Sequence, residues 1–287
     1  VVGIGVMQGR LSPPEADRVQ AFPAATWAEE FDRAREAGLS CIEWVYEFAT
    51  EARNPLSDPE RLAEVRVRAT EAGVPVSSVC ADCYMERPLL RGDGRPEADR
   101  VAHLRGLLDR CAELKVRHVV LPFVDASSLT GAAQCQGLVG LLRRLRARME
   151  ATGVELHLET DLAPDRLREV LEAVEHPLVC ANYDIGNSAA LGRDPAEELA
   201  QYGRYLGSVH VKDRVRGGGS VALGAGDADL AAAFDAIART GYARPFILQA
   251  ARGEPGREVA LASANRRLVE RLWTTAAARA ERGGDGP

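Results

Sequence analysis

The chain has 287 residues, 46% of them hydrophobic, so it is long enough to bury a full core. Its formal net charge of −6 leaves no basic surplus for a nucleic-acid backbone, and no apolar run approaches membrane-spanning length. No basic segment followed by a long apolar one opens the chain and its six cysteines are scattered, so a cytoplasmic setting is expected, with a small-molecule partner and neither nucleic acid nor membrane.

Taken in chain order, the first apolar stretch, Gly3 to Met7, has strand character. The MQGRL at its end puts Gln8 and Arg10 where substrate contacts are expected; arginine carries the planar donor fork that grips a carboxylate or phosphate. Thr26 with Glu29 forms a capping box for the first helix, which ends at Gly38 before the strand Cys41 to Val45. Glu43 in that strand either pairs with Arg10 or reaches a substrate hydroxyl. Asp58 before Pro59 opens the next helix, Gly73 closes it, and the strand Val76 to Cys80 follows. The CxxC of Cys80 and Cys83 has no matching pair, so neither zinc nor redox chemistry is expected there. The long stretch Asp82 to Pro96 offers Tyr84, Met85, Pro88, Leu89 and Leu90 either to a homo-oligomeric contact or as a cover on the chain's own surface. His118 to Pro122 is the fourth strand.

In the second half, Gly153 ends a helix before the strand Glu155 to Glu159, in which His157 shares the face of Glu159 through the two-residue strand period. Val179 to Tyr183 runs into Asp184; Asn187 in the following DIGN orients a hydroxyl or makes an Asx turn. Asp194, Pro195 and Glu197 mark another helix start. Gly207 to Val211 carries His210, and Asp213 beyond it is expected to hold the imidazole or the following loop. Arg214, Arg216 and the run Gly217 to Gly219 form a basic loop suited to a phosphate, an unphosphorylated acid or a plain turn. Gly241 precedes the last strand, Phe246 to Gln249, and Arg252 is a further candidate for an anionic group. The helical pattern after Ala260 ends in GGDGP, which is expected to fray.

Eight strand-helix alternations with no long linker predict a (β/α)8 TIM barrel, one domain over residues 1–287. The stretches Leu11 to Ala25, Asp82 to Pro96 and Lys212 to Asp229 all follow strands and so lie on the catalytic face. At four successive strand ends stand Glu159, Asp184, His210 and Gln249, a donor set suited to one divalent cation such as Mn, Co, Zn or Mg.

On HLET, YDIGN, SVHVKD with the following GAGDADL, and FILQ, the chain resembles the sugar-phosphate isomerase/epimerase superfamily of xylose-isomerase-like barrels. The likeness is greatest to the branch of L-ribulose-5-phosphate and L-xylulose-5-phosphate 3-epimerases and covers nearly the whole chain. It implies one divalent cation held by Glu, Asp, His and Glu at the ends of strands five to eight, positions matched by Glu159, Asp184, His210 and Gln249. It also implies that the first and last of these exchange protons with the sugar carbon, which makes Glu159 and Gln249 the catalytic positions. Gln249 departs from the pattern, because an amide oxygen can coordinate a cation but the amide is no base near neutral pH. The second proton carrier is then Glu43, His157 or a bound water, unless one base works on a single face in aldose-ketose isomerisation. The substrate implied is a sugar or sugar phosphate, and an enediolate the intermediate. A polyol-ketone dehydratase and a catalytically silent sugar-binding homologue are the alternatives. DNA-repair endonucleases share the superfamily, but their three-zinc, histidine-rich sites fit poorly with five histidines, one of them at a predicted C-terminal strand end.

Overall fold

The computed structural model describes residues 2–15, 18 and 20–283. Eight parallel strands close into a barrel: β1 (Ile4–Met7), β2 (Ile42–Val45), β3 (Val76–Cys80), β4 (His118–Phe123), β5 (Glu155–Thr160), β6 (Val179–Asp184), β7 (Leu206–Val211) and β8 (Phe246–Leu248). Each neighbours its sequence successor, and β8 closes against β1. With helices packed around it, this is the expected (β/α)8 TIM barrel. The register shifts at two places, between Ile42 and Glu43 and between Ala181 and Asn182, both beside polar residues that turn into the barrel. Among the described residues no helix is long and apolar enough to cross a membrane.

The helices lie where apolar residues recur at helical spacing. In the helix Ala132–Thr152, Leu138, Leu141, Leu142, Leu145 and Met149 share one fully buried face; each such side chain contributes about 1.5–3 kcal/mol of burial. Gly38, Gly73, Gly153 and Gly241 all take positive φ at the helix ends, as their spacing predicts. Asp58 and Asp194 accept hydrogen bonds from the first turns that follow them. The Thr26–Glu29 capping box does not form. The helix starts at Glu29 after Ala28, and Thr26 Oγ1 instead donates to Ser12 Oγ, tying down the loop after β1. The last helix runs Glu258–Gly283, so most of the GGDGP expected to fray lies outside the described residues.

The stretch 82–96 folds onto its own barrel. Tyr84, Leu89 and Leu90 are buried there, and Leu90 and Pro96 form a bridge that closes it. The apolar side chains expected to supply a subunit contact are therefore largely spent within one chain, because a loop's hydrophobicity does not say which surface it will cover.

The barrel interior is unusually polar toward its N-terminal end. His157 is completely buried, 2.8 Å from Glu155 Oε2 and 2.8 Å from Ser208 Oγ, and Arg244 pairs with Glu155. Burial opposes ionisation of Glu155, yet His157 and Arg244 hold its carboxyl down at about 2. His118 stacks on His157 with centroids 4.0 Å apart and has no hydrogen-bond partner at either ring nitrogen among the described residues. Burial, then the neighbouring His157, pushes its pKa well below the ordinary 6.5. A histidine kept neutral in the fold takes up its proton first in the unfolded chain. Its contribution to stability is thus complete above about pH 6.5 and is lost as pH falls toward the depressed folded value. His118→Phe is expected to flatten the acid-side loss by up to about 1.4 kcal/mol per pH unit. Melting temperatures from pH 7 to pH 5 check this; an unchanged acid slope in the variant would contradict it.

Candidate metal centre

Three of the four strand-end residues converge. One ligand atom each from Glu159, Asp184 and His210 lies within 4.8 Å of the others, and all three residues are buried. The register explains the pairing: Asp184 on β6 stands directly beside His210 on β7. Glu159 Oε2 lies 3.5 Å and Asp184 Oδ2 3.9 Å from His210 Nδ1. The opposite ring nitrogen, Nε2, is 2.8 Å from Glu43 Oε1. The contact is not aligned as a hydrogen bond, but the negative charge beside Nε2 favours a proton on that side of the ring and leaves Nδ1 facing the other two carboxylates, the arrangement a metal-ligating imidazole needs.

Glu43 therefore faces neither Arg10 nor a substrate hydroxyl. It is fully buried, with Ser78 Oγ donating to its Oε2 at 2.7 Å, and it orients His210 from across the barrel. Gln249 joins the group through Lys212, whose Nζ donates to Asp184 Oδ2 (3.2 Å), Asn187 Oδ1 (3.1 Å) and Gln249 Oε1 (3.4 Å). The Gln249 amide nitrogen donates to Gln20 Oε1 at 2.9 Å, so its carbonyl oxygen is the atom directed at the centre. Burial, with Asp184 adding to it and His210 opposing, lifts Glu159 to about 7. Burial would depress His210, but Glu43, Glu159 and Asp184 overcome it and raise the imidazole to about 9. Two buried carboxylates, one imidazole nitrogen and an amide oxygen suit a divalent cation. A second acidic cluster, Glu155, His157 and Cys180, has suitable atoms as well, but Arg244 and Arg117 already meet its charge.

The pattern described as "Xylose isomerase-like TIM barrel" matches residues 31–271. The chain belongs to the xylose isomerase-like TIM-barrel family. Over 216 residues, 73% of this chain and 72% of its counterpart, it is 30% identical to 2-epi-5-epi-valiolone 7-phosphate 2-epimerase of an Actinoplanes species. It is 26% identical to the L-ribulose-5-phosphate 3-epimerase of Salmonella paratyphi A over 246 residues, 80% of this chain and 84% of that one. The structure of an L-ribulose 3-epimerase superposes with a TM-score of 0.74 over the whole of both chains at 20% identity.

This xylose isomerase-like barrel carries long connections on the C-terminal face, and they enclose a cavity of about 320 Å³ above the ligand cluster. Arg10, Glu159, Asn187, Arg214 and Gln249 line it. Asn187 does not make the Asx turn, which belongs to Asp184: its Oδ1 accepts from Asn187 N at the start of the helix Ile185–Ala190. The Asn187 side chain instead donates to Glu159 Oε1 at 2.7 Å and accepts from Arg214 at 2.8 Å.

Other expected site residues lie elsewhere. Gln8 is fully buried and its Oε1 accepts from Val45 N, stitching β1 to β2. Arg216 is exposed in the connection of a small hairpin of Asp213–Arg214 and Ser220–Val221, and its backbone N donates to Asp227. Gly217 to Gly219 build that hairpin's turn, with Gly218 O accepting from Arg214. Arg252 donates to Ser12 O and lines a separate cleft against the last helix. The pairing of Arg214 and Arg216 with Arg252 around one anion is thus not realised. Asp213 holds the loop, accepting from Gly224, Gly226 and Ala228 N, and His157 sits in the interior away from the cavity lining.

Sequence reasoning passed over Asn182, Lys212 and Gln20. Asn182 Nδ2 lies 3.4 Å from Glu159 Oε2 and 3.2 Å from His210 Nδ1, and the two-residue period from Asp184 signals its inward face. Gln20, in an irregular loop, carries no such signal.

Proposed function

We propose that this barrel is a divalent-metal-dependent epimerase or isomerase of a sugar phosphate. The convergence of Glu159, Asp184 and His210, with Glu159 and the neighbouring Gln249 lining a sugar-sized cavity, carries the reading, and the activities named for its relatives support it. Glu159, Asp184, His210 and the Gln249 amide oxygen would hold the cation, which supplies Lewis-acid polarisation of a carbonyl and its neighbouring hydroxyl. Glu159 takes the proton from the carbon beside that carbonyl, and the C–H electrons form the double bond of an enediolate. Asn187 steadies the carboxylate by donating to Glu159 Oε1.

Phosphorylation of the substrate is inferred from the cations that line the cavity. Arg18 is committed to Glu47 through two hydrogen bonds of 2.6 and 2.9 Å. Arg214, by contrast, meets only neutral acceptors among the described residues, the Gly218 carbonyl and the Asn187 amide, which leaves its charge for an anionic group.

The test is a panel of matched ketoses and ketose phosphates, L-ribulose 5-phosphate among them, incubated in D2O with Mn, Co, Zn or Mg and followed by NMR. Carbon-proton exchange with a new stereoisomer, at lower KM for the phosphorylated member, is expected. Loss of water would mark a dehydratase. Binding with no exchange on any compound would select the silent homologue that Gln249 otherwise favours.

A further inference from the structure

Building on the epimerase reading, we propose that Asp82, at the end of β3, is the second proton-transferring residue, doing the work that an amide at position 249 cannot do. The ligand set occupies one continuous arc of the barrel, β5, β6, β7 and β8, and β1 to β4 form the arc facing it. A substrate bound on the ligand arc shows its other face to β1 through β4, so the second acid belongs there.

Among the described residues, few carboxylates of that arc stand at or beneath the cavity. Glu43 is sealed beneath the cavity against His210 and Ser78. Glu47 is buried in its pairing with Arg18 and also accepts from Phe22 N and Thr50 Oγ1. Glu86 and Asp125 line the cavity from exposed positions at its rim. Asp82 lines the cavity, is partly buried, and has no ion-pair partner among the described residues. Its Oδ2 accepts from Gln20 Nε2 at 2.6 Å and its Oδ1 from Cys80 Sγ at 3.1 Å. Gln20 in turn accepts from Gln249, so one side chain holds both Asp82 and the residue whose acid function is missing. Burial pushes the Asp82 carboxyl above its ordinary range, with Glu47 and Glu43 adding to it against Gln20 and Cys80, which favours the protonated form that a donor requires.

The step balances. Glu159 breaks the C–H bond from one face and keeps the proton. The enediolate electrons then form a C–H bond with the Asp82 proton on the other face, the carbonyl is restored, and Asp82 is left as carboxylate. Exchange with water reprotonates Asp82 and deprotonates Glu159 before the next turnover, so no redox partner is needed.

Asp82→Asn keeps an acceptor for Gln20 and leaves the ligand set untouched. With the manganese-loaded protein and L-ribulose 5-phosphate in D2O, wild type is expected to yield the epimer carrying deuterium at the inverted carbon. In Asp82→Asn, epimer formation should fall by about 10²-fold or more while deuterium exchange into unreacted substrate persists, and Asp82→Glu should restore part of the loss. Manganese affinity, measured without substrate, should be unchanged. Epimerisation by Asp82→Asn within about threefold of wild type overturns the assignment, as does a joint loss of exchange and bound manganese, which would mark a structural role. Exchange without inversion by wild type also overturns it, since no second acid then acts. Absence of both from wild type across the ketose panel removes the epimerase reading and the role of Asp82 with it, an outcome visible before any variant is compared.

Discussion

Asp184→Asn is expected to weaken divalent-cation binding by at least about 10²-fold, beyond the 10- to 100-fold typical of residues that only orient a ligand. Asparagine keeps an oxygen for Asn187 N, so the start of the helix Ile185–Ala190 should survive. What disappears is the charge, and the Lys212 ammonium then stands beside the centre without its carboxylate partner. His210→Ala should have a similar effect. Glu43→Gln should cost less, because the amide still fills the space beside Nε2 but no longer favours the tautomer that frees Nδ1. Titration calorimetry with manganese, paired with elemental analysis of protein purified without chelator, measures the series. Wild-type stoichiometry in a variant lacking both Asp184 and His210 would place the cation elsewhere.

The same centre fixes the sign of the pH dependence. Without cation, the surrounding carboxylates hold a second proton on His210 up to about 9, and burial holds one on Glu159 up to about 7. Protons and cation compete for these atoms, so affinity should rise as pH increases through 7 and toward 9. Calorimetry at pH 7 in buffers of different ionisation enthalpy should therefore detect release of at least about one proton per cation bound.

How much of this was legible in the sequence depends on how each partner is reached. Glu159, Asp184 and His210 stand at the ends of apolar runs bounded by turn residues, and strand periodicity places such ends on one face of a barrel. Glu43 was legible as a strand-end acid but not in its role. Its partner lies three strands away around the closed sheet, and no local pattern reports a contact across the interior. Arg214 and Arg216 look alike in sequence, yet the hairpin turns one into the cavity and leaves the other in solvent. The loop residue Gln20 became visible only once the chain had brought β1, β3 and β8 together.

The largest loss of chemistry is expected from Glu159→Gln. Glutamine preserves the shape of the side chain and an oxygen for Asn187 Nδ2, but it cannot accept a proton from carbon. Substrate carbon-proton exchange should fall by about 10²–10⁴-fold, the range by which a positioned base accelerates such a step. Stability should move the other way. A carboxyl raised by burial to about 7 favours the unfolded chain once pH exceeds its unfolded value, and that cost is complete only above the folded one. Removing the ionisable group should therefore stabilise the chelated protein at pH 8, by roughly 3 kcal/mol at most, and do little at pH 4. Thermal melts at both pH values in chelator separate this from a general packing effect, which would act equally at each. A variant that melts higher at pH 8 and no longer exchanges substrate protons would show that Glu159 is held in a strained electrostatic state for its chemistry. Deuterium wash-in at the wild-type rate on a turned-over substrate would instead show that the proton is taken by another group, and the roles of Glu159 and the facing carboxylate would have to be exchanged.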